Sequence, residues 1–149
     1  MRDVVVVDAS LALKWVILEE DSKAAEALLA EWTGIAMTLI APALFMYEVT
    51  NIIYRKVGRT ALSLDEAKQM QEKLRQRGPT LEMPQDTALS LRAMDLAQRF
   101  RLPATYDAHY LALAEREGCD YWTADERLWN GVRQELSWVR WLGSYHPTA

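Results

Sequence analysis

The stretch that most constrains this chain is Val4 to Val7, four consecutive valines that stop at Asp8-Ala9-Ser10. A β-branched run without polar alternation reads as a strand buried on both faces, the kind found in parallel sheets covered by helices. Helix-compatible sequence, Leu11 to Leu18, follows within three residues. Asp8 is thereby placed where a buried strand hands over to a helix, and open α/β sheets bind their ligands at the carboxyl ends of the strands. The function of the chain then turns on which other acids converge there.

The remaining punctuation supports the same architecture. Asp21 or Ser22 caps a helix over 23–32, closed by Gly34. Met37 to Ile40 reads as a second strand, and Pro42 opens a third helix, Ala43 to Val57, ended by Gly58. Ser63-Leu64-Asp65-Glu66 is a capping box for a polar helix that runs to Arg77. Thr80 to Met83 reads as a third strand, and Asp86 caps a helix over 87–100 that Pro103 breaks. A helix from Thr105 stops at Gly118, Cys119 to Thr123 is a buried strand, and Glu126 to Asn130 is a short helix. Trp138 to Leu142 alternates like an edge strand, and 144–149 reads as a loose tail. Strands separated by helices, with no hairpin signal, predict a three-layer α/β/α fold with a mostly parallel sheet. A length of 149 residues fits a single domain over 1–149.

Composition narrows the class. The single Cys119 excludes a disulfide framework within the chain and fits a reducing compartment. Met1-Arg2-Asp3 followed by four apolar residues is too short for a signal peptide, and no stretch approaches a membrane span. The expected location is cytoplasmic. A net charge of −4 argues against a nucleic-acid binder that relies on its overall charge. It leaves room for an enzyme that holds acids for metal and presents basic residues locally.

Three more acids join Asp8 as candidates. Asp107 shares a helix face with Tyr110, Leu111 and Ala114, an apolar stripe on which an unpartnered aspartate is uncommon. It also lies in a first helical turn, where the dipole alone favours an anion. Glu48 sits mid-helix on a mixed face, as an ordinary solvated glutamate, a partner of Arg55, or a ligand that Asn51 orients one turn on. Asp125 follows the strand ending at Thr123 and repeats the location of Asp8; the competing explanation is a capping box of Thr123 and Glu126. Crowded carboxylates raise one another's pKa values, and a hard divalent cation converts that penalty into a binding site. Such a site activates water for displacement at a phosphodiester. His109 and His146 are too few and too scattered for zinc, and no phosphate-cradling glycine loop is present. Ser10 and Thr123 lack a histidine at any useful spacing, which casts them as positioning hydroxyls.

The motifs VVVVDAS, YEVTN, TYDAHYLALAE and WTADERL, in that order, resemble the PIN-domain family, and within it the VapC-type toxins of bacterial toxin–antitoxin pairs. The resemblance implies a metal-dependent endoribonuclease whose four acids fall on Asp8, Glu48, Asp107 and Asp125. It implies Mg²⁺ or Mn²⁺ held by Asp8 and Asp107, with Glu48 and Asp125 helping directly or through water. Ser10, Asn51 and Thr123 match the polar positions that support the cluster. A homodimer and a cognate antitoxin protein are implied as partners, with RNA as substrate and no membrane. The Trp138 to Trp141 stretch and the polar tail depart from the family pattern.

Basic residues suited to phosphate contact are Arg55, Lys56 and Arg59, and the run Lys73, Arg75, Arg77. Among the aromatic residues, Trp15, Trp32 and Tyr54 are the candidates for a dimer face. Two alternatives to the nuclease stand beside it. One is a catalytically silent PIN-like binding module that works through its dimer and a protein partner. The other is a phosphoryl-transfer protein with Asp8 as nucleophile, against which Ser10 stands where a second acid is needed.

Overall fold

The computed structural model describes residues 3–82 and 87–147. The valine run forms β1 (Val4–Val7), with Val6 and Val7 fully buried. It is the central strand of a five-stranded sheet made of β2 (Thr38–Pro42), β3 (Thr80–Glu82), β4 (Asp120–Thr123) and β5 (Val139–Trp141). The order is β3-β2-β1-β4-β5, and every pairing is parallel. The chain therefore leaves β1 toward β2 and β3 on one side and adds β4 and β5 on the other. The strand order reverses between β1 and β4, where Val7 stands opposite Trp122, and this opens a crevice at their carboxyl ends.

Helices cover both faces, as buried parallel strands require. Right-handed crossovers put α1 (Ala9–Ala12), α2 (Ser22–Gly34), α3 (Leu44–Val57) and α4 (Leu64–Arg77) on one face. They put α5 (Thr87–Arg99), α6 (Tyr106–Glu117) and α7 (Glu126–Val132) on the other. Side chains of β4 record the two layers. Trp122 meets Trp32 of α2 edge-on at 6.1 Å, whereas its neighbour Tyr121 stacks on Tyr110 of α6 at 5.7 Å.

Local chemistry sets most boundaries. Ser63 and Glu66 form the reciprocal capping box at the start of α4. Gly118 ends α6 at φ 64°, a left-handed conformation that costs any residue with a Cβ. Two expectations shift. The helix after Asp8 does not reach Leu18: it tightens to a 3₁₀ turn over Leu13–Trp15 and ends. Its last carbonyls are taken from outside, Trp15 O by Arg77 Nη1 at 2.9 Å and Ile17 O by Ser22 Oγ at 2.9 Å, and Leu18 is left exposed. Pro42 closes β2 rather than opening α3, because the last residue of a strand needs no further N–H for the ladder. Met83 and Asp86 lie outside the described residues, as do residues 148–149 of the expected tail.

The tryptophans proposed for a dimer face are core residues. Trp15 and Trp32 are 2% and 5% exposed and meet edge-on at 6.4 Å, and Trp122 and Tyr145 continue the row. Tyr54 is exposed. A second indole pair, Trp129 on α7 and Trp141 on β5, stacks at 5.1 Å with Arg133 over the Trp129 ring.

Candidate active site

Asp8 leaves β1 in extended conformation and caps α1. Its Oδ1 accepts from Ser10 Oγ at 2.6 Å and from the Leu11 N–H at 3.1 Å. Its Oδ2 accepts from the Tyr121 hydroxyl at 2.6 Å. The residue is buried, and burial pushes its carboxyl above the usual range, with the hydrogen bonds pulling the other way.

Ser10 and Thr123 are tied to this carboxylate in one direction. Ser10 donates to Asp8, its hydroxyl lies 3.2 Å from that of Thr123, and the Thr123 hydroxyl is itself a hydrogen-bonding neighbour of Asp8. Ser10 Oγ also accepts from Ala124 N–H, and Thr123 Oγ1 accepts from Asp125 N–H. A chain of donors thus runs from the end of β4 into Asp8. Asp125 itself caps α7, accepting from the Leu128 N–H at 3.2 Å. The capping box of Thr123 and Glu126 is not what forms: Thr123 turns toward Ser10, and the cap is Asp125.

Glu48 reaches the crevice from α3. Its Oε1 accepts from the Tyr110 hydroxyl of α6 at 2.7 Å. Burial, then the charges of Asp8 and Asp107, push its carboxyl up against the pull of Tyr110. Asn51, one turn on, is exposed and makes no hydrogen bond among the described residues, so the neighbour that orients Glu48 is the tyrosine. Asp107 occupies the first turn of α6 without any hydrogen-bond donor among the described residues. Burial raises its pKa to about 6, with Asp8 and then Asp125 adding to the effect.

The four acids therefore sense one another through Asp8 and Asp107, and none takes part in an ion pair among the described residues. No three carboxylate, histidine or cysteine side chains among the described residues stand close enough to ligate one ion. The donor set is nonetheless the one a hard cation takes, all oxygen and anionic. Mg²⁺ is ordinarily held by one or two carboxylates with water and substrate oxygens completing its shell. Partly buried acids that repel one another, with no ion-pairing Lys or Arg among the described residues, fit that requirement.

Sequence reasoning missed Tyr110 and Tyr121 as members of the site. Tyr110 stood in the apolar stripe beside Asp107, and a tyrosine there reads as core; the signal was its hydroxyl, which a buried position must satisfy. Of the basic residues, Arg77 is engaged by Glu26 and Trp15 O, and Arg75 by Glu72. Arg55, Lys56 and Arg59 have no ion-pair partner among the described residues.

The family described as PIN domain matches residues 5–132. The chain is 33% identical over 123 residues to Ribonuclease VapC3 of Pyrobaculum aerophilum, covering 83% of this chain and 90% of that protein. Among solved structures it is similar to PAE2754 from Pyrobaculum aerophilum, with a TM-score of 0.62 and 19% identity, covering 88% of this chain and 87% of that one. With a family model matching residues 5–132 and a relative 33% identical over 83% of its length, the chain belongs to the PIN-domain family.

Proposed function

We propose that this protein is a metal-dependent endoribonuclease, the toxin of a toxin–antitoxin pair, that hydrolyses RNA phosphodiesters. The observation that carries the reading is the electrostatic coupling of Asp8, Glu48 and Asp107, with no ion-pair partner among the described residues, at the switch point of a parallel sheet. Similarity to a protein named as a ribonuclease supports it.

Asp8 and Asp107 are the residues to hold Mg²⁺ or Mn²⁺, with Glu48 and Asp125 contributing directly or through water. A bound divalent cation supplies charge stabilisation at the phosphate and a more acidic water. Asp8 is fixed by Ser10, Leu11 and Tyr121 and needs no rearrangement to act. Glu48, whose proton affinity is raised by burial, is suited to accept a proton from water. Thr123 and Ser10 hold the two strand ends together. Arg55 and Lys56 in the last turn of the helix that carries Glu48, and Arg59 just beyond its end, are suited to RNA phosphates. A homodimer, a cognate antitoxin protein and a cytoplasmic location complete the proposal; among the described residues no helix is long and apolar enough to cross a membrane. No observation favours the catalytically silent alternative.

The test is cleavage of a mixed single-stranded RNA pool by purified protein with Mg²⁺, with Mn²⁺ and with EDTA, beside Asp8→Asn and Asp107→Asn. Cutting is expected with either metal, is lost in EDTA, and is abolished in both variants while their circular dichroism stays native. Turnover by a folded Asp8→Asn protein at the wild-type rate would refute the mechanism.

A further inference from the structure

The geometry points to Tyr110 and Tyr121 as a stacked pair of positioning residues, each hydroxyl fixing one acid of the cluster for metal binding. The inference rests on the reading of the acids as a metal site. The two rings lie 5.7 Å apart at an interplanar angle of 14°, and both residues are fully buried. They come from different elements, α6 and β4, and serve acids on two others. Tyr110 donates to Glu48 of α3, and Tyr121 donates to Asp8 at the end of β1. Neither hydroxyl is positioned to touch substrate; each acts through a carboxylate.

Lone-pair accounting shows what they do. An ionised carboxylate has about four acceptor sites, two on each oxygen. Asp8 Oδ1 already takes two donors, Ser10 Oγ and Leu11 N. Oδ2 takes Tyr121, and the Thr123 hydroxyl is a further hydrogen-bonding neighbour of the carboxylate. Tyr121 is the donor on Oδ2 and so helps set the orientation in which Asp8 meets a cation. On Glu48 the tyrosine engages Oε1, leaving Oε2 without a donor among the described residues. The stacked rings hold the two hydroxyls in a fixed relation beneath the two acids. Partners that orient ligating carboxylates are worth about 10–100-fold in metal affinity or activity.

The experiment is Mn²⁺ titration of the metal-free protein by calorimetry, with no RNA present. It compares wild type with Tyr110→Phe, Tyr121→Phe, Glu48→Gln and the Tyr110→Phe/Glu48→Gln double variant, with the exposed Tyr106→Phe as control. Phenylalanine keeps each ring and its stacking and removes only the hydroxyl. Tyr110→Phe and Tyr121→Phe are each expected to weaken Mn²⁺ binding about 10-fold or more. In the Glu48→Gln background the Tyr110→Phe effect is expected to vanish, which a general packing role would not produce. Wild-type affinity in both folded Phe variants would overturn the inference and leave the metal site standing. Absence of Mn²⁺ binding by wild type would overturn the metal reading and this inference together. Should Tyr121→Phe not fold, the Tyr110 and Glu48 cycle alone decides: an undiminished Tyr110→Phe effect in the Glu48→Gln background refutes the pairing.

Discussion

Asp107 carries the least compensated charge of the four acids, and its cost is readable as a pH dependence. Its pKa is raised from 3.8 to about 6 in the fold, so the native state holds this proton more tightly than the unfolded chain does. Below the unfolded value the group is neutral in both states and costs nothing. As pH rises through the window from about 4 to about 6, native stability falls, the reverse of an aspartate in a salt bridge. With partial exposure discounted, the metal-free protein should gain about 1–2 kcal/mol near neutral pH from Asp107→Asn. Urea denaturation across that pH range checks both the gain and the loss of the slope. Mg²⁺ is expected to raise wild-type stability at neutral pH and to leave the variant nearly unchanged, since a cation offsets the same charge.

At the scale of the element, Asp125 joins two roles that substitution can separate. As N-cap of α7 it accepts the Leu128 N–H, so Asp125→Ala should cost about 1 kcal/mol in stability. Asp125→Ser keeps a capping oxygen and should stay within a few tenths of a kcal/mol of wild type. If the charge serves the metal, both variants lose RNA cleavage; full activity in Asp125→Ser would confine the residue to capping. The same element shows what sequence can and cannot convey. Helix starts governed by neighbours in the chain, such as Ser63 with Glu66, and ends governed by one residue, such as Gly118, are legible because their chemistry is local. The early end of the helix after Asp8 is not, because Arg77 takes the Trp15 carbonyl from 62 positions away. Asp8, Asp107 and Asp125 were legible as candidates from their place at strand and helix ends, whereas Glu48, mid-helix on a mixed face, stood out only within its motif. Their hydroxyl partners were not, because the bonds from Tyr110 to Glu48 and from Tyr121 to Asp8 span 62 and 113 positions.

At the scale of the whole molecule, the β1–β4 reversal brings acids from the end of β1, α3, α6 and the β4–α7 junction toward the carboxyl ends of the central strands. Large apolar side chains remain exposed on two separate helices, Tyr47 and Tyr54 on α3 and Leu91 and Met94 on α5. These are surfaces on which a second copy can bury area, and light scattering at micromolar concentration is expected to report the mass of two chains; a one-chain mass throughout would remove the homodimer from the proposal. The indole clusters have a consequence of another kind. Trp15, Trp32 and Trp122 interact along the α2 face of the sheet, while Trp129 and Trp141 stack as a pair that exists only when α7 docks on β5. The environment of these two indoles is expected to change when α7 leaves β5, and a change in tryptophan fluorescence on unfolding that Trp129→Phe diminishes would mark closure of β5 and α7. The tyrosine pair beneath the acids absorbs at shorter wavelength, so the fold carries separate optical labels for the docking of its last strand and for the floor of its crevice.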